Sequence, residues 1–107
     1  MIAKINEIAS QPAGDGVTRK IMARGGGMMS VEVTFEAGAV GAVHTHPHEQ
    51  ISYVAEGRFE FTMNGETTII EKGDSYYVAP NVPHGVTALT AGVLIDIFTP
   101  QREDFLR

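Results

Sequence analysis

Residues 58–70 contain the feature that most constrains the fold of this chain, because they have the pattern of two β-strands joined by a tight turn. Apolar residues, Phe59 and Phe61 among them, alternate with polar ones, which is the period-two pattern of a strand with one buried face. Asn64-Gly65 then interrupts the alternation, and Asn-Gly favours a two-residue hairpin because both turn positions need a positive φ. The segment therefore predicts an antiparallel hairpin and not an amphipathic helix.

Further short segments are rich in β-branched and aromatic residues and are bounded by Gly, Pro or Asn: residues 29–35, 51–55, 75–78, 85–89 and 93–98. Single turns of helix are predicted within residues 2–9 and 101–106, and both are too short to be stable alone. Many short strands separated by turns are typical of an all-β sandwich or barrel. We therefore predict one all-β domain over residues 1–107.

Composition excludes several classes of partner. The net charge of −5 has the wrong sign for binding a phosphate backbone, so nucleic acid is not expected as a partner. No apolar run approaches the roughly 18 residues of a membrane helix. The first ten residues have no continuous apolar region of a secretory signal, so we expect a cytoplasmic protein. Without cysteine, any metal must be bound by His, Asp, Glu or amide side chains.

The string HTHPHEQ, residues 44–50, holds three of the four histidines and is a candidate metal site. His44, His46 and Gln50 share parity along an extended chain, so they could project from one face. His84 follows a Pro-rich turn and could be brought alongside by another strand. A proline inside the string marks a bend, so spacing alone leaves Glu49 open as a ligand. Imidazole suits a divalent transition metal such as Ni, Zn, Fe or Mn, and the spacing does not select among them.

These features resemble the cupin superfamily, whose first motif reads G-x5-H-x-H-x3,4-E-x6-G. Gly38, His44, His46 and Gly57 match it in register, and Gln50 occupies the position of the family's glutamate. The second motif, G-x5-P-x-G-x2-H-x3-N, is matched at two positions and departs at three. Gly73 and His84 are the matches. The departures are Ala79 in place of proline, Asn81 in place of glycine and Ala88 in place of asparagine. The resemblance covers residues 28–98 and implies a double-stranded β-helix, or jelly-roll barrel, with His44, His46, Gln50 and His84 as metal ligands.

A glutamine in place of the carboxylate leaves a divalent metal with a net charge of about +2 instead of about +1. Such a site binds anions better and metal less tightly, which favours isomerase or lyase chemistry on an acidic substrate over dioxygen chemistry. The alternative is that Gln50 lies behind the ligands and that water completes the coordination.

The C-terminal string DIFTPQRED adds two more candidates. Asp96 interrupts an apolar run, so it either faces solvent or points into the barrel mouth as a general acid or base. Arg102 either binds a substrate carboxylate or forms a surface ion pair with Glu103 or Asp104.

The strings VTRKIMARGG, HTHPHEQ, GRFEF, GDSYYVAPNVPHGV and DIFTPQREDFL together resemble the small cupins of pectin and alginate catabolism, which linearise 4,5-unsaturated uronates. That family holds its metal with three His and a Gln, and a D-x-F-x3-R segment supplies residues needed for activity. Asp96, Phe98 and Arg102 match this segment position by position. The resemblance implies that Asp96 moves a proton, Arg102 clamps the substrate carboxylate and Phe98 walls the sugar face.

The reaction implied by the resemblance is opening of the cyclic unsaturated monouronate to the open-chain 5-keto form. Two other functions fit the same residues: a module that binds a sugar acid without chemistry, and a metal-dependent dioxygenase. A small barrel also gains from covering its exposed strand edges, so we expect a homodimer.

Overall fold

A computed structural model describes residues 1–107 and shows ten β-strands with two short 3-10 helices, Ile5–Glu7 and Glu103–Leu106. The strands, in chain order, are β1 (Gln11–Gly14), β2 (Val17–Gly25), β3 (Met28–Phe35), β4 (Val40–His44), β5 (Glu49–Glu56), β6 (Arg58–Met63), β7 (Glu66–Glu71), β8 (Ser75–Val78), β9 (His84–Ala88) and β10 (Gly92–Thr99). No helix in the protein has both the length and the apolar character needed to cross a membrane.

The strands form two antiparallel sheets that face each other as a jelly-roll barrel, which confirms the predicted fold class. The larger sheet has the order β1-β2-β3-β10-β5-β8, and the smaller one has the order β4-β9-β6-β7. The predicted Asn-Gly hairpin is confirmed as β6–β7, with φ of 50° at Asn64 and 81° at Gly65. Asn81 also takes a positive φ of 65°, as its place in the second motif requires.

Three strands were not predicted from the sequence, and each lacks the alternation that would have revealed it. In β2 the buried and exposed positions alternate only at the start, and the pairing with β3 shifts register between Ile21 and Arg24. β1 is four residues long and contains Pro12. β4 exposes most of its residues because it lies at the edge of the smaller sheet. Their strand structure comes from pairing with neighbours and not from their own pattern.

The main core lies between the inner faces of the two sheets. Val54, Phe59 and Val78 are fully buried there, and the Phe35 and Phe59 rings meet edge to face with centroids 5.2 Å apart. Burying one such side chain contributes about 1.5–3 kcal/mol. The Gly92 backbone packs directly against this core, because a Cβ added at Gly92 would lie 2.6 Å from Cζ of Phe59. A smaller cluster of Met29, Val31 and Phe98 continues the packing toward the other end of the larger sheet.

Candidate metal centre and active site

Strand register brings the candidate residues together in facing pairs. His44 at the end of β4 pairs with His84 at the start of β9 in the smaller sheet. In the larger sheet, Phe98 of β10 pairs with Gln50 of β5. Asp96, two residues before Phe98, pairs with Ser52, two residues after Gln50. Residues far apart in the chain therefore become neighbours because antiparallel pairing fixes which residues lie opposite each other.

Three histidines converge on one point. Ligand nitrogens of His44, His46 and His84 all lie within 4.8 Å of one another, and the His44 and His84 rings are 4.5 Å apart between centroids. His46 and His84 are buried, whereas His44 is exposed at the barrel mouth. This spacing would let one ion contact all three rings.

The second nitrogen of each ring is held by a main-chain carbonyl. Nδ1 lies 2.8 Å from the Ala42 oxygen in His44, 3.0 Å from the His48 oxygen in His46 and 2.8 Å from the Val82 oxygen in His84. Since a carbonyl only accepts, Nδ1 of His44 and of His84 carries the proton and Nε2 of each keeps its lone pair. Burial also lowers the pKa of His46 and lowers that of His84 to about 4, so these two rings stay neutral. The donor set fits a divalent transition metal.

The chain reaches this cluster by passing from one sheet to the other. β4 ends at His44 and β5 begins at Glu49, with a bend at Pro47 and His48 between them. The string is therefore not one continuous strand, and His44, His46 and Gln50 nevertheless converge. Their convergence comes from the bend, which the proline favours because it cannot continue a ladder.

Glu49 and His48 do not belong to the group of converging ligand atoms. Glu49 is exposed and accepts a hydrogen bond of 2.5 Å from the Tyr77 hydroxyl, while its neighbour Gln50 is buried, as alternation along β5 requires. The His48 ring packs edge to face against His46 at 5.5 Å between centroids, and its Nδ1 is buried without a partner. Of the two side chains at the glutamate position of the motif, only Gln50 faces inward.

A buried chain of hydrogen bonds connects Gln50 to Asp96. The Gln50 amide donates to the Ser52 hydroxyl at 2.8 Å, and that hydroxyl donates to Oδ1 of Asp96 at 2.6 Å. Because Nε2 of Gln50 is used in this way, Oε1 faces the histidines and lies 2.9 Å from Nε2 of His46. Ser52, which is fully buried, thus fixes which atom of the amide points toward the candidate metal position.

Asp96 points into the cavity between the sheets and not toward solvent on the barrel exterior. Burial raises its pKa from 3.8 to about 6, while the hydrogen bond from Ser52 and the charge of Arg102 oppose the rise. A carboxyl group with a pKa near 6 can both accept and release a proton close to neutral pH. This makes Asp96 a candidate general acid or base.

Arg102 is buried in the cavity wall, where it forms one of the ion pairs that the sequence left as alternatives. Its Nε and Nη2 donate to the two carboxylate oxygens of Asp104 at 3.1 and 2.9 Å. The ion pair is therefore present, but Arg102 is only 9% exposed and also lines the cavity with Phe98, whose ring centroid is 5.0 Å from its Cζ. Glu103 has no ion pair with Arg102.

Comparison with known proteins identifies the family. The Cupin domain model (Cupin_2) matches residues 31–98. The chain belongs to the cupin family. It is 46% identical over 94% of each chain to the pectin degradation protein KdgF of Dickeya dadantii (strain 3937). Two solved structures superpose on it with a TM-score of 0.93. One is an RmlC-like cupin from Shewanella frigidimarina NCIMB 400, with 38% identity over 97% of this chain and 94% of the other. The second is KdgF from Halomonas sp., with 36% identity over 98% of this chain and 97% of the other.

The cavity of this cupin has a volume of about 340 Å³, at the lower end of the range for small-molecule sites. Besides the predicted residues other than His46, the cavity wall includes Arg19, Tyr76 and Phe105, which no motif in the sequence marked. Tyr76 stacks on Phe61 with ring centroids 3.9 Å apart, and burial together with the Asp96 charge raises its pKa. Ser52 was not predicted as a site residue either, although it lies two residues after Gln50 in β5 and therefore faces the same side of the sheet.

Proposed function

We propose that this cupin is a metal-dependent enzyme that opens the ring of 4,5-unsaturated monouronates from pectin or alginate breakdown. The product is the open-chain 5-keto uronate. The reaction is an isomerisation: the C1 hydroxyl loses a proton as the bond from C1 to the ring oxygen breaks, and C4 gains a proton. Atoms balance without an oxidant, a reductant or an organic cofactor.

The observation that carries the proposal is the hydrogen-bonded chain Gln50–Ser52–Asp96, which links a carboxyl of raised pKa to the histidine cluster, in the cavity that His44 and His84 also line. A binding module would not need a buried carboxyl there, because an unpaired buried charge costs stability. The name of the Dickeya dadantii relative, a pectin degradation protein, supports a substrate from the same source.

Each site residue has a role in this proposal. One divalent transition metal would be held by His44, His46, His84 and Gln50, and it would supply Lewis-acid stabilisation of a developing enolate oxygen. Asp96 accepts the proton from the C1 hydroxyl and delivers a proton to C4. Phe98 forms a wall for the sugar ring, and Arg102 contributes positive charge at the anionic end of the substrate.

Replacing Asp96 by Asn tests the function. Wild-type protein loaded with metal should convert unsaturated galacturonate to the 5-keto product, followed by NMR and by loss of the ultraviolet absorbance of the double bond. Asp96→Asn should keep fold and metal content and lose turnover, and a fully active variant would refute the proton-transfer role. Saturable binding without product would favour the binding module, and oxygen consumption with the native metal would favour the dioxygenase.

Metal analysis tests the ligands separately. His44→Ala and His84→Ala should each lower the metal content of purified protein measured by mass spectrometry. His48→Ala is the matched control and should retain the metal, because its ring lies outside the converging set. Stoichiometric metal in both ligand variants would contradict the assignment.

The homodimer is also a proposal. The outer face of β5 and β8 carries Ile51, Tyr53 and Tyr77, which are 54, 49 and 48% exposed, and a second copy could cover this apolar face. Light scattering after size-exclusion chromatography should give twice the monomer mass, and Ile51→Glu should return the protein to monomers.

A further inference from the structure

We propose that Arg19 is the residue that binds the substrate carboxylate directly, at the end of the cavity walled by Phe105. This inference rests on the proposed function and adds the orientation of the substrate. The sugar acid would point its carboxylate toward Arg19 and its reacting oxygens toward the histidine cluster.

The guanidinium of Arg19 lines the cavity and has donors to spare. Its Nε donates to Oε1 of Gln11 at 3.2 Å, and its Cζ lies 3.7 Å from the ring centroid of Phe105. No protein group accepts a hydrogen bond from its two terminal nitrogens, and no carboxylate forms an ion pair with it. Two adjacent free N–H groups on one planar fork match the geometry of a carboxylate.

Arg102 is less available for the same task. Two of its nitrogens already donate to both oxygens of Asp104, so its bidentate edge is occupied inside the protein. A substrate carboxylate could displace Asp104 only by breaking this pair. Arg102 therefore adds positive charge at this end of the cavity, with its Cζ 4.2 Å from the ring centroid of the same Phe105.

The electrostatics of this end of the cavity favour an added anion. Burial lowers the pKa of Arg19, and the positive charge of Arg102 lowers it further, while Asp104 opposes both effects. The Phe105 ring thus contacts two guanidinium groups, those of Arg19 and Arg102, and only Arg102 has a carboxylate partner, Asp104. Because the whole chain carries a charge of −5, a local positive site is needed to hold an acidic ligand.

The ligand class follows from these features: a monosaccharide-sized acid with one carboxylate and with oxygen atoms at its far end. The cavity of about 340 Å³ limits the ligand to roughly one sugar unit. The cation–π faces of Phe105 are occupied by arginines, so the ring is not free to stack on a sugar. Charge, not stacking, would provide recognition at this end.

The experiment compares an acid with its neutral counterpart. Isothermal titration of metal-loaded protein with galacturonate and with its methyl ester measures the preference for the carboxylate, and turnover of unsaturated galacturonate gives KM and kcat. The variants are Arg19→Gln and Arg19→Lys, and the matched control is Arg58→Gln, which removes an exposed arginine of β6. Circular dichroism checks that each variant is folded.

Wild-type protein should prefer the acid over the ester, and Arg19→Gln should lose this preference by about ten- to a hundredfold, the worth of one charged hydrogen-bonded pair. KM should rise more than kcat falls. Arg19→Lys should retain part of the preference and Arg58→Gln all of it. An unchanged preference in Arg19→Gln, or none in the wild type, overturns the inference. Preference for the acid without ring opening would instead refute the proposed function and leave Arg19 as an anion-binding residue.

Discussion

Asp96→Asn should stabilise the metal-free protein, and the gain should grow with pH. The folded-state pKa of Asp96 is raised from 3.8 to about 6 because the carboxyl is buried. The folded protein therefore holds this proton more strongly than the unfolded chain does. Stability from this group is fully present below pH 3.8 and is lost as pH rises through about 6.

The size of the effect follows from the shift. One pKa unit corresponds to about 1.36 kcal/mol, so the full shift is worth about 3 kcal/mol. An asparagine at this position has no proton to lose, and its oxygen can still accept the hydrogen bond from Ser52. Between pH 4.5 and pH 8, the free energy of unfolding of Asp96→Asn relative to wild type should therefore rise by about 2 kcal/mol.

Urea unfolding at both pH values, with chelator present throughout, measures this difference. The chelator is needed because a bound cation would change the pKa of a nearby carboxyl. Asp15→Asn, which removes an exposed carboxyl next to Gly16 in the turn after β1, is the matched control and should stay within about 0.5 kcal/mol of wild type at each pH. If Asp96→Asn and wild type differ by the same amount at pH 4.5 and pH 8, the argument from burial is wrong.

Two further predictions concern the hydrogen-bond chain and the core. Ser52→Ala should cost about 1–3 kcal/mol by leaving buried polar groups unpaired, and it should move the acidic limb of the pH–rate profile to higher pH because the Ser52 hydroxyl lowers the pKa of Asp96. Ser52→Thr keeps the hydroxyl and serves as control, and an unmoved limb in Ser52→Ala would contradict the role. Gly92→Ala should lower the free energy of unfolding by about 1–3 kcal/mol because its Cβ would lie 2.6 Å from Phe59 and 2.8 Å from the Glu56 carbonyl. Thermal unfolding should show little change for Gly25→Ala, whose Cβ would meet nothing within 4 Å, and equal stability of the two variants would argue against the packing account.

The strands that could be predicted from the sequence are those with one buried and one exposed face. β3 and β6 follow from alternation, because solvent on one side and core on the other impose a period of two, and β7 follows from Asn64-Gly65. β1, β2 and β4 could not be predicted, since edge position, a register shift or exposure removes the alternation. The histidine cluster was recognisable from spacing, whereas no pattern marked Arg19, which lies in the unpredicted strand β2.

The sequence by itself determined which residue types were available for a site: three histidines and a glutamine in two motifs, with an aspartate and an arginine near the end of the chain. It did so because ligand chemistry depends on side-chain identity, and motif spacing is carried by the chain. Only the tertiary structure decided which of them share a cavity and in what protonation state. Pairing between strands set Asp96 opposite Ser52, burial raised the pKa of that carboxyl, and packing brought Arg19 and Arg102 onto the same Phe105 ring. Contacts and desolvation of this kind arise between residues distant in the chain, so no local pattern could encode them.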